Sequence, residues 1–202
     1  MLKKNSSINI LLLVGCFCFC KISVAQNWEV NLLEKINSPN HSSTNFKTAS
    51  QSVYPISVAH PLALLSVGYI SKNKKMQQQG WQTIGALAIN TAITQGLKYT
   101  INRERPYEKY PTIIFPYEIE NDASFPSGHT STAFATATTL SLQFKKWYIV
   151  VPAYTWAASV GYSRMYLGEH YPTDVLAGAI IGTGSAILSN WLTKKYFTKR
   201  NK

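Results

Sequence analysis

Five stretches of the chain carry no Asp, Glu, Lys or Arg: Val53–Ser71, Trp81–Leu97, Ser127–Phe144, Trp147–Ser163 and Val175–Thr193. Each runs 17 to 19 residues, close to the ~20 that an α-helix needs to cross the hydrocarbon of a bilayer. They are only moderately apolar, because Thr, Ser, Asn, Gln and Gly recur in them. Small residues at Ala177-Gly178-Ala179 and Gly182-Thr183-Gly184 suit close helix–helix approach inside a membrane. The pattern predicts an all-α fold, a membrane-embedded bundle of about five helices. The same composition can also build a buried bundle in a soluble protein. No internal repeat is present.

Upstream of these stretches two segments differ in character. Residues 1–25 read as a secretory signal, with Lys3 and Lys4, an apolar run from Ile8 to Phe19, and small residues at Ser23 and Ala25. Cleavage after Ala25 is expected. Leu13-Val14-Gly15-Cys16 offers lipidation of Cys16 as an alternative, and retention of the segment would add a sixth span. All three cysteines lie here, so the mature chain has no thiol for a disulfide, a zinc site or a nucleophile. Residues 26–52 are rich in Asn, Ser and Thr and read as an exposed polar lead-in on the periplasmic side, with room for a short helix around Trp28–Ile36. Residues 53–202 form the expected domain.

Charge refines this picture. The chain has 20 Lys and Arg against 9 Asp and Glu, a formal net charge of +11, yet only 14% charged residues. Such a balance suggests nucleic acid or an anionic membrane face, and its distribution favours the membrane. If the five stretches alternate across a bilayer with residues 26–52 outside, one side receives Lys72–Gly80, Lys145–Lys146 and Lys194–Lys202. These hold ten basic residues and no acid. The opposite side holds Lys35, Lys47, Lys98, Arg103, Arg105, Lys109 and Arg164 together with all nine acids. Lys and Arg accumulate on the cytoplasmic side, so the sequence predicts a bacterial inner-membrane protein with its acidic face toward the periplasm. No nucleic-acid partner is expected, and nothing in the sequence specifies an oligomeric state.

Under that topology the reactive residues gather on the outer face. Lys98 and Arg105-Pro106 close the second stretch, Pro126-Ser127-Gly128-His129 opens the third, and Arg164, His170 and Asp174 lie between the fourth and fifth. Lys98, Arg105 and Arg164 supply positive charge, and guanidinium forks match phosphate oxygens. Ser127 and Gly128 at a helix start offer a hydroxyl, backbone amides and close backbone approach to an anion. His170 and Asp174 are four residues apart, so a carboxylate can fix one imidazole nitrogen and leave the other nucleophilic. His129 is a second imidazole, able to protonate a leaving oxygen. Basic side chains here take the charge-stabilising role that Mg²⁺ fills in other phosphoryl-transfer sites, so no metal and no cofactor is expected.

Lys98-(six residues)-Arg105-Pro106, Pro126-Ser127-Gly128-His129 and Ser163-Arg164-(five residues)-His170-(three residues)-Asp174 resemble the three motifs of the type 2 phosphatidic-acid phosphatase family, which includes vanadium haloperoxidases and bacterial acid phosphatases. The resemblance covers about Tyr54 to Tyr196. It implies a helical fold and hydrolysis of a lipid phosphomonoester or diphosphate through a phosphohistidine. It also implies that His170 attacks phosphorus, Asp174 orients it, His129 is the general acid, and Lys98, Arg105, Ser127, Gly128 and Arg164 hold phosphate. The implied partners are a membrane lipid phosphate and the bilayer itself. A soluble periplasmic acid phosphatase and a vanadate-dependent haloperoxidase are the alternatives.

Each residue also has a plainer reading. A single basic residue at a helix end is usually a snorkelling surface charge. Ser127–His129 can be a helix cap, and His170–Asp174 a local hydrogen bond. Two histidines and an aspartate can bind zinc, although three neighbouring cations oppose it. His41 and His60 read as structural, and Arg103, Glu104 and Lys109 as rim charges.

Overall fold

The structure, a computed structural model, describes residues 22–37 and 39–197. The signal, lipidation and retained-anchor readings of the leader fall mainly on residues outside this range. Eight helices are present among the described residues: α1 (Ile22–Ile36), α2 (Thr44–Gln51), α3 (Val53–Ile70), α4 (Lys74–Ile101), α5 (Pro106–Lys109), α6 (Gly128–Phe144), α7 (Trp147–Tyr166) and α8 (Pro172–Phe197). The five uncharged stretches lie on α3, α4, α6, α7 and α8. The expected count of five or six is therefore exceeded by the short helices α1, α2 and α5.

Local chemistry sets several helix ends. Asn73 caps α4, its side chain accepting from the Met76 N–H at 3.2 Å, which satisfies one of the free amides of a first turn. Asn102 ends α4 in the left-handed region at φ 45°, and Lys145 ends α6 there at φ 52°. Pro172 occupies the first position of α8, where its missing N–H costs nothing.

α6 is the central helix, packing against α8, α7 and α4. Gly182 makes the tightest of these approaches: a Cβ there would lie 2.0 Å from the Ser131 carbonyl oxygen and 2.8 Å from the Ala135 nitrogen. The backbones of α6 and α8 thus meet almost directly, as small residues permit. The interior between the long helices is built of small residues, apolar around Val53, Ala133, Ala137, Ala153, Ala157 and Val160 and polar elsewhere. Asn90 donates to Ser131 Oγ at 3.2 Å, Thr94 and Ser131 hydroxyls meet at 3.2 Å, and Ser57 and Thr136 hydroxyls at 2.8 Å. Near the α4 start, Gln82 donates to Asn190 at 3.1 Å and Gln143 to the Gln79 carbonyl at 3.0 Å. The α4 start and the ends of α6 and α8 therefore share one end of the bundle.

Many large apolar side chains face outward. Leu62, Val67 and Ile70 on α3, Val151 on α7, and Leu176, Ile180 and Ile187 on α8 are exposed. Trp81, Trp147, Trp191 and Tyr196 are exposed near the end remote from Lys98, and Tyr99 is exposed near Lys98. Two helices, Val53–Ile70 and Pro172–Tyr196, are long and apolar enough to cross a membrane.

Residues 26–52 differ from the exposed lead-in that their composition suggested. Leu33 of α1 is fully buried with Val30, Tyr107, Ile114 and Tyr171, and Ser50 of α2 is buried beside Arg164. The segment reads as polar because few of its residues make the contact, and their partners lie far along the chain.

Candidate active site

At the other end of the bundle, the end of α4, the start of α6, the end of α7 and the start of α8 converge, roofed by the loop between α5 and α6. Ser127 N–H donates to the Asp174 carbonyl at 3.1 Å, tying the two helix starts together. The Ser127 hydroxyl caps α6, accepting from Thr130 N–H at 3.4 Å and meeting the Thr130 hydroxyl at 2.9 Å. A Cβ on Gly128 would meet nothing within 4 Å, so the space beside this backbone is open at the head of a helix, where an anion is favoured.

The three motif cations are buried, with Lys98, Arg105 and Arg164 exposed by 6%, 2% and 2%. Buried charges need partners, and each has one. Lys98 Nζ lies 3.2 Å from Asp122 Oδ2 and also donates to the Ala123 carbonyl. Arg105 pairs with Asp122, donates through Nε to the Asp122 carbonyl at 2.9 Å, and through Nη1 to the Glu169 carbonyl at 3.0 Å. Arg164 donates to Ser50 Oγ at 2.5 Å, lies 3.1 Å from Glu120 and pairs with the buried Glu169. Burial pushes the Asp122 carboxyl up, but the Lys98 and Arg105 charges outweigh it and hold the group below the usual carboxylate range.

His170 lies in the turn before α8, 2% exposed. Its Nδ1 is 3.6 Å from Asp174 Oδ2 and has no hydrogen-bond partner, a contact of the kind that tightens when substrate is in place. Burial, followed by repulsion from Arg164, Arg105 and Lys98, pushes the His170 imidazole well below its usual value. The ring is neutral at pH 7, the form in which one nitrogen keeps a free lone pair. Asp174 is fully buried and held from three sides: Ser124 Oγ donates at 2.5 Å, Tyr171 N–H at 2.9 Å, and Arg103 Nη1 at 2.6 Å. His129, on the first turn of α6, packs edge-on against Tyr54 at 5.0 Å between ring centroids and lies in the electrostatic reach of Arg164, His170, Arg105 and Lys98.

All eight residues singled out in the sequence thus sit at one end of the bundle. Among the described residues no group of three or more His, Cys, Asp or Glu is placed to hold a metal ion. Arg103, read from the sequence as a rim charge, instead reaches inward to Asp174, and Asp122, Glu120, Ser124 and Glu169 complete the surroundings. A second arginine two residues before Arg105 was the available signal for Arg103. The carboxylates gave none.

The PAP2 superfamily pattern matches residues 79–198, more than half of the chain. The chain belongs to the PAP2 superfamily. A lipid A 1-phosphatase of Porphyromonas gingivalis is 30% identical over 139 residues, which are 67% of this chain and 28% of that protein. An undecaprenyl-diphosphatase of Sulfolobus acidocaldarius is 32% identical over 57% of this chain and 56% of its own length. The chain therefore spans about half or less of these curated relatives. The crystal structure of LpxE from Aquifex aeolicus superposes with a TM-score of 0.59 at 28% identity, covering 80% of this chain and 92% of that one. A transmembrane PAP2-type phosphatidylglycerolphosphate phosphatase from Bacillus subtilis shares the fold, with a TM-score of 0.64 at 23% identity over 94% and 96% of the two chains. Among its described residues this PAP2 chain has helices and no strand, as its sequence pattern predicts.

Proposed function

We propose that this PAP2 protein is a phosphatase that removes phosphate from a lipid phosphomonoester or diphosphate at the periplasmic surface of the bacterial inner membrane. The observation that carries the reading is the burial of Lys98, Arg105 and Arg164 around a neutral His170 at one end of the bundle. Three cations taken out of water together are costly, and a phosphate dianion is a ligand that repays them. The names of the relatives support a lipid substrate. The outward apolar faces, and Lys72, Lys74, Lys75, Lys145, Lys146, Lys194 and Lys195 at the opposite end with no acid among them, support the membrane setting and orientation.

In this reading Lys98, Arg105, Arg164, the Ser127 hydroxyl and the open backbone at Gly128 bind the phosphate, displacing Asp122 and Glu120. His170 Nε2 attacks phosphorus while Asp174 holds Nδ1, and the bond from phosphorus to the lipid oxygen breaks. His129 gives that oxygen its proton. Water then attacks the phosphohistidine, returns a proton to His129, and releases inorganic phosphate. The cations oppose the charge that grows on the phosphoryl oxygens, so no metal enters the scheme. Residues 53–202 carry this chemistry.

The test is phosphate release by the purified protein from undecaprenyl diphosphate, lipid A, phosphatidic acid and phosphatidylglycerol phosphate, with EDTA present. We expect turnover on at least one lipid, undiminished by EDTA and inhibited by vanadate. Release from soluble phosphomonoesters alone, or activity that needs added Mg²⁺ or Zn²⁺, overturns the proposal.

A further inference from the structure

Glu29 lies on α1, far outside the matched residues 79–198, yet it is 2% exposed. Both of its carboxylate oxygens are committed. Oε2 takes Arg103 Nη2 at 2.7 Å, and Oε1 takes the Thr173 N–H at 3.1 Å and the Thr173 hydroxyl at 2.5 Å. Arg103 continues the chain of contacts. Its Nη1 bonds Asp174 Oδ1 at 2.6 Å and Thr173 Oγ1 at 2.8 Å, and its guanidinium lies 3.8 Å from the Tyr171 ring centroid. Asp174 in turn faces His170.

We propose that Glu29 and Arg103 are positioning residues for the reaction, fixing Asp174 and hence the ring of His170, so that α1 completes the active site. This rests on the phosphohistidine reading above. Three physical points support it. A fully buried carboxylate such as Asp174 needs a counter-charge, and Arg103 provides it. A guanidinium is a planar fork that binds two carboxylates at once, which an ammonium does not reproduce. Thr173 is in the first turn of α8, where a carboxylate both satisfies a free amide and suits the helix dipole. Glu29 therefore fixes the orientation of Arg103 and the start of the helix that carries Asp174. Neither residue touches the cations that hold phosphate, so their loss should spare binding and slow the chemistry.

The experiment compares Glu29→Gln, Glu29→Asp, Arg103→Gln and Arg103→Lys with the wild-type protein, using whichever panel lipid the wild type turns over. We expect kcat to fall about tenfold in Glu29→Gln and on the order of 10²-fold in Arg103→Gln, the scale of a ~1 Å misplacement of a reacting group. KM and the inhibition constant of inorganic phosphate, a ground-state ligand of the cations, should stay within about twofold, the mark of an interaction that matters in the transition state. Vanadate, which mimics the transition state on His170, should weaken in step with kcat. Glu29→Asp should recover part of the loss, and Arg103→Lys should not. Glu34→Gln, an exposed change on the same helix, should behave as wild type. Unchanged kcat in Glu29→Gln overturns the inference. So does a fall in kcat accompanied by an equal weakening of inorganic phosphate, which would mean a general loosening of the site. A wild-type protein inactive on every lipid would instead sink the reading on which this rests.

Discussion

The contact between Gly182 and α6 ties helix packing to chemistry, and Gly182→Ala tests the link. The new methyl would lie 2.0 Å from the Ser131 oxygen, whereas ordinary contact begins at 3.4 Å. The obstructing atoms are backbone, so no rotamer change relieves the clash, and α8 must shift from α6 by roughly 1 Å or more. Overpacking of this kind costs about 1–3 kcal/mol, while replacing a helical glycine by alanine returns up to ~1 kcal/mol. Asp174 is eight residues from Gly182, about 12 Å along the helix at 1.5 Å per residue. A displaced α8 would open the 3.1 Å bond between Ser127 N–H and the Asp174 carbonyl and move His170 away from the phosphate-binding turn. A displacement near 1 Å should lower kcat/KM on the order of 10²-fold. Gly184→Ala is the control, because a Cβ there meets nothing within 4 Å. Thermal unfolding in detergent and phosphate release read the two effects. A Gly182→Ala protein matching Gly184→Ala in both would refute the reasoning.

Further outcomes follow from the site and the topology. His129→Ala should lose about 10²–10⁴-fold on a lipid substrate but far less on nitrophenyl phosphate, whose leaving group departs without a proton. His170→Ala should lose turnover on both, and equal losses for the two substrates in His129→Ala would leave it only a phosphate-positioning role. Because burial and the three cations depress His170, its ring should take up a proton only well below pH 6.5, and the nucleophile is lost as pH falls through that lower value. A ring-carbon NMR titration, assigned with His170→Asn, checks this; a midpoint at 6.5 would contradict it. With Cys16, Cys18 and Cys20 replaced by serine, a cysteine at Lys109 should react with an impermeant reagent in spheroplasts and one at Lys146 should not. Labelling only at Lys146 would invert the orientation.

Much of this architecture was legible because charge is excluded from the middle of each long helix. Charge did not mark where the helices end. α4 starts at Lys74, seven residues before the uncharged stretch, because Asn73 caps it and Lys74, Lys75 and three glutamines continue the helix. The motif residues were equally visible, since each sits at a helix end at a fixed offset from its neighbours. Their partners were not. Asp122 serves Lys98 and Arg105, and Glu120 serves Arg164, through a loop with no periodic pattern. Glu29 was still harder to foresee: it meets Thr173 across 144 positions of chain, and nothing around it marks it as buried.

The hydroxyl-lined interior has a thermodynamic consequence. In a water-soluble domain, unfolding hydrates apolar area, and that hydration gives a large positive heat-capacity change and a strongly curved stability profile. Here many of the helix contacts run through Asn90, Thr94, Ser131, Ser57 and Thr136 and through Ala133, Ala137, Ala153 and Ala157, while Leu62, Val67, Ile70, Val151, Leu176, Ile180 and Ile187 already face outward. Separating such helices within a bilayer uncovers alanine, glycine and hydroxyl surface and adds little contact between water and hydrocarbon. Calorimetry of the lipid-embedded protein should therefore give an unfolding enthalpy that barely varies with temperature, and no cold-unfolding branch near the freezing point.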